Sequence, residues 1–585
     1  MKRLNFSGLR AGFLLALLLG AAQPRALGES FKKHTVVSQE ANASAAGAEI
    51  LRKGGNAIDA AVATAFALAV TLPEAGNLGG GGFIVAYLAD RGEVVSVDFR
   101  EMAPGNSDPR MYLDSEGRLR ADCRKGAWAA GVPGTVRGLG LAHSQWGKLP
   151  WADVVAPAIA LARDGFTISD DLARSLNAEL TRAQPGSGGG FKTNPTADDG
   201  HLCDFPESVA AYAKPDGTPW KPGDRLIQKD LAETLSRIAA HGPDEFYTGQ
   251  TAKLIDAYMV ANQGRIRLED LAAYQAKIRT PVRTSFRGAE VYGMGPPSSG
   301  GIVVSEILNI LERYDLKADG PGSPLTLHRV TEAMRRAYFI RATQIADPDF
   351  VEIDTDKLTS KPFADTLAKT IGDRATPSAE LAPFPIAQVE GDHTTHFSTL
   401  DSAGNAVALT YTLEESYGAK CVVAGAGFLL NNEMGDFNLI PGRTDDAGRI
   451  GTAPNLIAPG KRMISSQTPT IVLRDGKVTL VTGSPGGRTI PNTTLWVILN
   501  WLEFGLDPQV AVTAPRTHHQ WFPDRLMIEK RFTDEQAIEA LKSMGHAVIR
   551  SNAQVNANSI MVEAGTGLVH GIPDPRRSTT KAAGE

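Results

Sequence analysis

Apolar residues fall at helical spacing through 43–53, and Gly54-Gly55 stops the run. Asn56 stands where a cap is needed, so a second helix is expected from about Ala57. Residues 60–72 are apolar on every side, short and rich in small residues, the pattern of a helix buried in a core. A glycine-rich run, Gly76-Asn77-Leu78-Gly79-Gly80-Gly81-Gly82, gives way to strand-like stretches at 83–89 and 94–99, with Arg100 at the end of the second. From 135 to 340 the pattern is mainly helical between Gly/Pro/Ser-rich connectors, of which 185–199 reads as a mobile loop. Residues 372–390 are rich in Pro and Ala and have no period, which predicts an extended or flexible arm. Strand-like patterning resumes at 395–400, turns at Asp401-Ser402-Ala403-Gly404-Asn405 and returns at 406–413. Two further strands, 470–474 and 477–482, are joined by Asp475-Gly476, and a helix is expected at 493–504.

The bulk numbers change this picture little. A chain of 585 residues with 42% hydrophobic residues can bury a large core. The net charge of -5, with no Lys/Arg block interleaved with aromatics, argues against a nucleic-acid partner. The first residues say more. Lys2, Arg3 and Arg10 accompany an apolar run at 12–22 that is too short for a membrane span and ends in small residues. That is a secretory leader; cleavage after Ala22 and after Ala26 both fit. A periplasmic or secreted protein with no membrane span after processing is expected. The cysteines are Cys123, Cys203 and Cys421, with no closely spaced pair to suggest zinc or redox chemistry. Cys123 and Cys203 could pair in an oxidising compartment or stay as separate buried thiols.

The candidate chemistry lies where the arm meets the strand. A threonine opening a strand, Thr394, can attack the carbonyl before it, move the acyl group from nitrogen to oxygen and leave an ester for water to cleave. The new N-terminus then carries a hydroxyl and an α-amine with an ordinary pKa of about 7.7–8.0, able to act as the hydroxyl's base. Spacing alone favours an ordinary run of β-formers. His393 and His396 flank this run, but on a strand they point to opposite faces and no metalloprotease motif surrounds them. Gly79–Gly82 lacks the Gly-Lys-Ser/Thr of a phosphate loop and reads as close-packed backbone. No nucleophile elbow of a serine hydrolase precedes a helix.

Several segments taken together carry a resemblance. They are Gly54-Gly55-Asn56-Ala57-Ile58-Asp59-Ala60-Ala61, Gly79-Gly80-Gly81-Gly82-Phe83, Asp98-Phe99-Arg100-Glu101, Gly131-Val132-Pro133-Gly134 and Pro296-Pro297-Ser298-Ser299-Gly300-Gly301. Thr394-Thr395-His396-Phe397-Ser398, Leu430-Asn431-Asn432-Glu433-Met434, Ser465-Ser466 and Gly483-Ser484-Pro485-Gly486-Gly487 continue the series in order. Over nearly its whole mature length the chain resembles γ-glutamyltranspeptidases.

The resemblance implies an α+β fold of the N-terminal nucleophile hydrolase type, a four-layer αββα sandwich. It implies a leader at 1–26, a large subunit of 27–393 and a small subunit of 394–585, associated as a heterodimer after autocleavage between His393 and Thr394. Thr394 matches the nucleophile, Thr412 the threonine that orients it, and Gly486 and Gly487 the oxyanion-hole glycines. Arg100 matches the residue that binds the substrate α-carboxylate, Ser465 and Ser466 the hydroxyls beside it, and Glu433 and Asp436 the acids that bind the α-amine. Glu414 stands where many relatives have Asn and is a further candidate contact. The segment 440–455 takes the place of a mobile lid but has no aromatic residue, so a looser closure is expected. The implied substrates are glutathione and other γ-glutamyl compounds, with water, amino acids or dipeptides as acceptors and no cofactor. Two alternatives stay open: a related glutaryl or cephalosporin acylase, and an unprocessed, non-enzymatic periplasmic binding protein.

Overall fold

The computed structural model describes residues 28–120, 123–182, 200–381, 393–552 and 555–585. The leader, the loop at 185–199 and the last part of the arm lie outside these residues. Two seven-stranded antiparallel sheets form the centre. From edge to edge the first runs Lys581–Gly584, Thr35–Ser38, His393–Leu400, Ala406–Glu414, Gly81–Leu88, Glu93–Phe99 and Lys277–Arg279. The second runs Glu29–Phe31, Val569–Ile572, Ser559–Val562, Lys477–Thr482, Thr470–Arg474, Ala289–Gly293 and Val282–Phe286.

Alternation of side chains across each strand builds the layers. Phe83, Val85, Tyr87, Ala406 and Ala408 of the first sheet meet Ile471, Val481 and Ile560 of the second in one apolar layer. On the outer face of the first sheet, Ile84, Val97, Leu409 and Tyr411 pack with helical residues such as Phe66, Val136 and Val155. On the outer face of the second, Val291, Val472 and Leu480 pack with Val303, Ile307, Val330 and Leu495 from helices. The result is the expected αββα sandwich.

The helix Ala57–Thr71 is buried at every residue and lies between the first sheet and the helices Ala41–Arg52 and Trp151–Asp164. Asn56 Oδ1 accepts the Ile58 and Asp59 N–H groups at 3.1 and 3.0 Å, and Asp59 returns a bond to the Asn56 N–H, a complete capping box. Three bonds fasten this helix to the hairpin that carries Thr394: Tyr411 OH to Ala65 O at 2.8 Å, Thr399 Oγ1 to Ala57 O at 2.9 Å, and Ala57 N–H to Asp401 at 3.0 Å. The strand that carries Thr394 is therefore tied to a fully buried helix.

Some expectations are corrected. The stretch 135–340 is mainly helical as expected, and the strands Lys277–Arg279, Val282–Phe286 and Ala289–Gly293, which the pattern did not predict, extend both sheets. Each has five residues or fewer, and the last two bury only alternate positions, so their apolar signal is short. The arm is also not free along its described length. Ala375 N–H bonds to Met544 O at 2.8 Å, Ser378 Oγ to Trp521 O at 2.6 Å, and Trp521 Nε1 to Ser378 O at 2.9 Å. Of the two readings left open for Cys123 and Cys203, the structure shows no disulfide between them. The helix expected at 493–504 begins earlier, at Ile490, and ends in a π-helical turn, Leu499–Glu503.

Candidate active site

Thr394 is buried and pairs directly with Thr412 on the neighbouring strand. Its hydroxyl donates to Thr412 Oγ1 at 3.4 Å, and Thr412 Oγ1 also accepts the Glu414 N–H at 2.8 Å. The register slips between His393 and Thr394: Thr394 faces Thr412, but His393 faces Glu414, leaving Leu413 as an extra residue. Such bulges re-aim backbone and side chains. Glu414 holds φ at 78°, in the left-handed region that residues with a Cβ rarely occupy. The ladder is thus interrupted at the bond expected to be cut.

The glycine run packs against this point. A Cβ on Gly80 would lie 2.0 Å from Thr412 O, and one on Gly79 2.3 Å from Leu429 O. Asn77 Nδ2 donates to Thr412 O at 3.1 Å. Residues 394, 396 and 398 face the second sheet: Ser398 Oγ reaches Asn558 O at 2.9 Å, and a Cβ on Gly483 would lie 2.5 Å from the His396 ring. Ser398 also reaches Val481 O at 3.4 Å, so the chain climbs from 481 past 483 as the facing strand descends from 398 past 396. Past Thr482 the strand ends, and the chain passes through Ser484 and Pro485 to Gly486. Gly486 caps a short 3-10 turn at φ 115° and Gly487 opens it at φ 52°. Amide groups at a helix start have no partner inside that helix, so these N–H groups suit an anionic oxygen. His396 is held well below its ordinary pKa, at about 3, by burial, and its ring nitrogens bond Thr410 and Ser398 at 2.8 and 3.2 Å. It is a neutral packing residue.

A second cluster forms around Arg100, which leaves its strand end fully buried. Its guanidinium pairs with Glu433 at 2.5 Å, with Asp436, and with Glu101 at 3.5 Å. Nη2 also donates to Ile464 O at 3.1 Å, immediately before Ser465-Ser466. Burial lowers the Arg100 pKa, but Glu433, Asp436 and Glu101 outweigh it and hold the group above its ordinary value. Burial pushes Glu433 well above the carboxylate range and Glu101 up to about 7, with Arg100 opposing both. Burial thus favours the protonated forms of Glu433 and Glu101, and Arg100 favours the ionised ones.

Glu414 joins this acidic group. Its carboxylate lies against Gly435, where an added Cβ would be 2.9 Å away, and pairs with Arg124 at 2.8 Å. Arg124 also takes Glu415 at 2.5 Å. Asn431 clamps the turn Glu433–Asp436: Nδ2 donates to Gly79 O and Gly131 O at 2.7 and 2.8 Å, while Oδ1 accepts Gly131 N–H and Glu433 N–H. Asn77, Glu101, Arg124 and Asn431 were not assigned roles from sequence. Glu101 and Asn431 lie inside matched segments, so adjacency was the signal available for them; Arg124 had none.

Ser465 and Ser466 are buried beside the cluster. Arg341 donates to Ser466 Oγ at 2.9 Å. A small cleft is lined by Arg341, Asp436, Ile450, Asn455, Ile464 and Arg488, among others. Thr394 is not in its lining. The segment 440–455 borders the cleft through Ile450 and Asn455 and is bonded to its surroundings. Arg488 Nη1 donates to Gly448 O at 2.9 Å, Thr452 Oγ1 to Ala342 O at 2.7 Å, and Gly442 N–H to Gly451 O at 2.8 Å. Ile450 supplies the apolar contact for which no aromatic is present.

With this geometry in place, the comparisons with known proteins fall into line. The family model described as Gamma-glutamyltranspeptidase matches residues 43–584. The glutathione hydrolase proenzyme of Escherichia coli is 43% identical over 557 residues, spanning 94% of this chain and 92% of that protein. Among solved structures, the cephalosporin acylase from Bacillus halodurans superposes with a TM-score of 0.82 at 25% identity, covering 98% of this chain and 99% of that one. The Helicobacter pylori gamma-glutamyltranspeptidase gives a TM-score of 0.56 at 40% identity, covering 60% of this chain and 96% of that one.

Proposed function

The chain belongs to the γ-glutamyltranspeptidase family, and from that premise we propose that it is a self-processing glutathione hydrolase and γ-glutamyltransferase with Thr394 as nucleophile. Thr394 Oγ attacks the His393 carbonyl, the peptide C–N bond breaks as the ester forms, and water releases His393 as a carboxylate. The products are a large subunit of about 27–393 and a small subunit of 394–585. That the solved Helicobacter pylori chain matches 60% of this one over 96% of its own length supports such a division.

In the mature enzyme the Thr394 amine takes the Oγ proton as Oγ attacks the γ-carbonyl of the substrate. Thr412 orients the pair. The N–H groups of Gly486 and Gly487 receive the oxyanion; removing one such donor lowers kcat by about 10²–10³ in comparable sites. The amine of the substrate leaves with a proton. Water, or an amino acid or dipeptide, then accepts the γ-glutamyl group from the ester.

The buried set of Arg100, Glu433 and Asp436 carries the substrate assignment. Arg100 is paired with both acids; a zwitterion can exchange with them, its α-carboxylate on Arg100, Ser465 and Ser466 and its α-ammonium on Glu433 and Asp436, with Glu414 nearby. A glutaryl side chain has no ammonium and would leave the acids without that partner. Release of p-nitroaniline from γ-glutamyl- and glutaryl-p-nitroanilide, with and without glycylglycine, tests this: the γ-glutamyl compound reacts faster, and the reverse order overturns the assignment. Among the described residues no helix is long and apolar enough to cross a membrane. With the leader at 1–26, this supports a periplasmic or secreted enzyme.

A further inference from the structure

Arg341 sits in the last turn of the helix Pro324–Gln344, and its side chain is buried. Its Nε donates to Ser299 Oγ at 3.0 Å and its Nη2 to Ser466 Oγ at 2.9 Å. Ser299 passes the contact on: its hydroxyl and its N–H donate to Ser465 O at 2.7 and 2.8 Å. Arg100 holds the preceding carbonyl, Ile464 O. Two arginines thus grip one short segment, Arg100 before the serine pair and Arg341 through it.

The chemistry of the donors fixes a direction. A guanidinium has hydrogens to give and no lone pair to offer. A serine hydroxyl that accepts from it turns its own O–H elsewhere, as a donor. We propose that Arg341 is a positioning residue for recognition of the substrate α-carboxylate: it sets Ser466 as a hydrogen-bond donor, fixes Ser465 through Ser299, and adds positive charge to the cleft it lines beside Asp436. The inference rests on the γ-glutamyl reading and adds the group that determines the polarity of the Ser466 hydroxyl.

Three acyl-p-nitroanilides separate this role from a structural one. The γ-glutamyl compound carries both head groups, the glutaryl compound lacks the amine, and the 4-aminobutanoyl compound lacks the carboxylate. In processed Arg341→Gln, kcat/KM for the first two falls roughly 10- to 100-fold, through KM, as expected for lost bonds to a charged group. The 4-aminobutanoyl reaction is little changed, and Arg341→Lys recovers part of the loss. In Ser466→Ala, adding Arg341→Gln has less effect than in the wild type. Equal losses for all three compounds, or additive effects of the two substitutions, overturn the proposal. If Arg341→Gln does not mature, Arg341→Lys with Ser466→Ala runs the same cycle. A wild-type enzyme without γ-glutamyl turnover sinks the functional reading itself, a result distinct from failure of the Arg341 role.

Discussion

Replacing Thr412 by Val keeps the shape of the side chain and removes one oxygen. That oxygen accepts the Glu414 N–H at 2.8 Å and the Thr394 hydroxyl at 3.4 Å. Glu414 is buried and already in the left-handed region, so its N–H cannot easily turn to water. A buried donor left without its acceptor costs about 1–3 kcal/mol, and the long Thr394 contact adds no more than about 0.5 kcal/mol. Both losses fall on the bulge at the bond to be cut. If most of that energy appears in the barrier to the acyl shift, maturation slows about 10- to 100-fold, at 1.36 kcal/mol per tenfold. A time course of fresh precursor on a denaturing gel measures this directly. Thr412→Ser retains the oxygen and matures close to the wild-type rate. Maturation of Thr412→Val at the wild-type rate would refute the role given to Thr412.

Gly486→Ala places a methyl group 2.6 Å from Thr489 Oγ1 and from Val555 at a φ of 115°, so kcat falls by about 100-fold or more while KM changes little; an unchanged kcat removes this glycine from the oxyanion hole. Both sheets contain strands of both proposed subunits, with Thr35–Ser38 held between Ser398–Leu400 and Lys581–Gly584. The processed chains therefore co-elute on size exclusion and separate only in denaturant; separation in dilute buffer contradicts that. The acids around Arg100 predict a pH effect. Glu101, raised by burial to about 7, keeps its proton below that pH and gives it up when a substrate ammonium arrives, so KM for a γ-glutamyl compound falls as pH rises from 6 through 7. The same upward shift means that Glu101 contributes most to stability below its ordinary 4.5 and loses that contribution by about 7. A glutaryl compound, with no ammonium, lacks the KM trend, and identical trends for both compounds contradict the assignment.

The elements legible in sequence were those with long or punctuated signals. The hairpin 395–413 announced itself through alternation and an Asp-to-Asn turn, and the helix from Ala57 through its cap. The strands at 277–293 were hidden because they are short and half-exposed. Ordering of the arm through Ser378 was hidden for another reason: its partners, Asp524 and Trp521, lie far away in the chain. The site shows the same division. Thr394, Arg100 and the glycine pair stand in compact motifs. Arg124 and Arg341 act through partners that only folding brings near, Glu414 and Ser466, and no local pattern marks them. In 440–455 the absence of an aromatic is visible in the sequence, whereas the bonds to Arg488 and Ala342 are visible only in the fold.

The central claim is that one hydroxyl, that of Thr394, both cuts the chain and carries the acyl group. Intact mass and N-terminal sequencing of the purified wild type and of Thr394→Ala, each assayed for γ-glutamyl-p-nitroanilide turnover, test it most directly. The account predicts two wild-type chains, the smaller beginning at Thr394, and a single inactive Thr394→Ala chain. Cleavage of Thr394→Ala at the same bond, or turnover by an uncut wild-type chain, would contradict it.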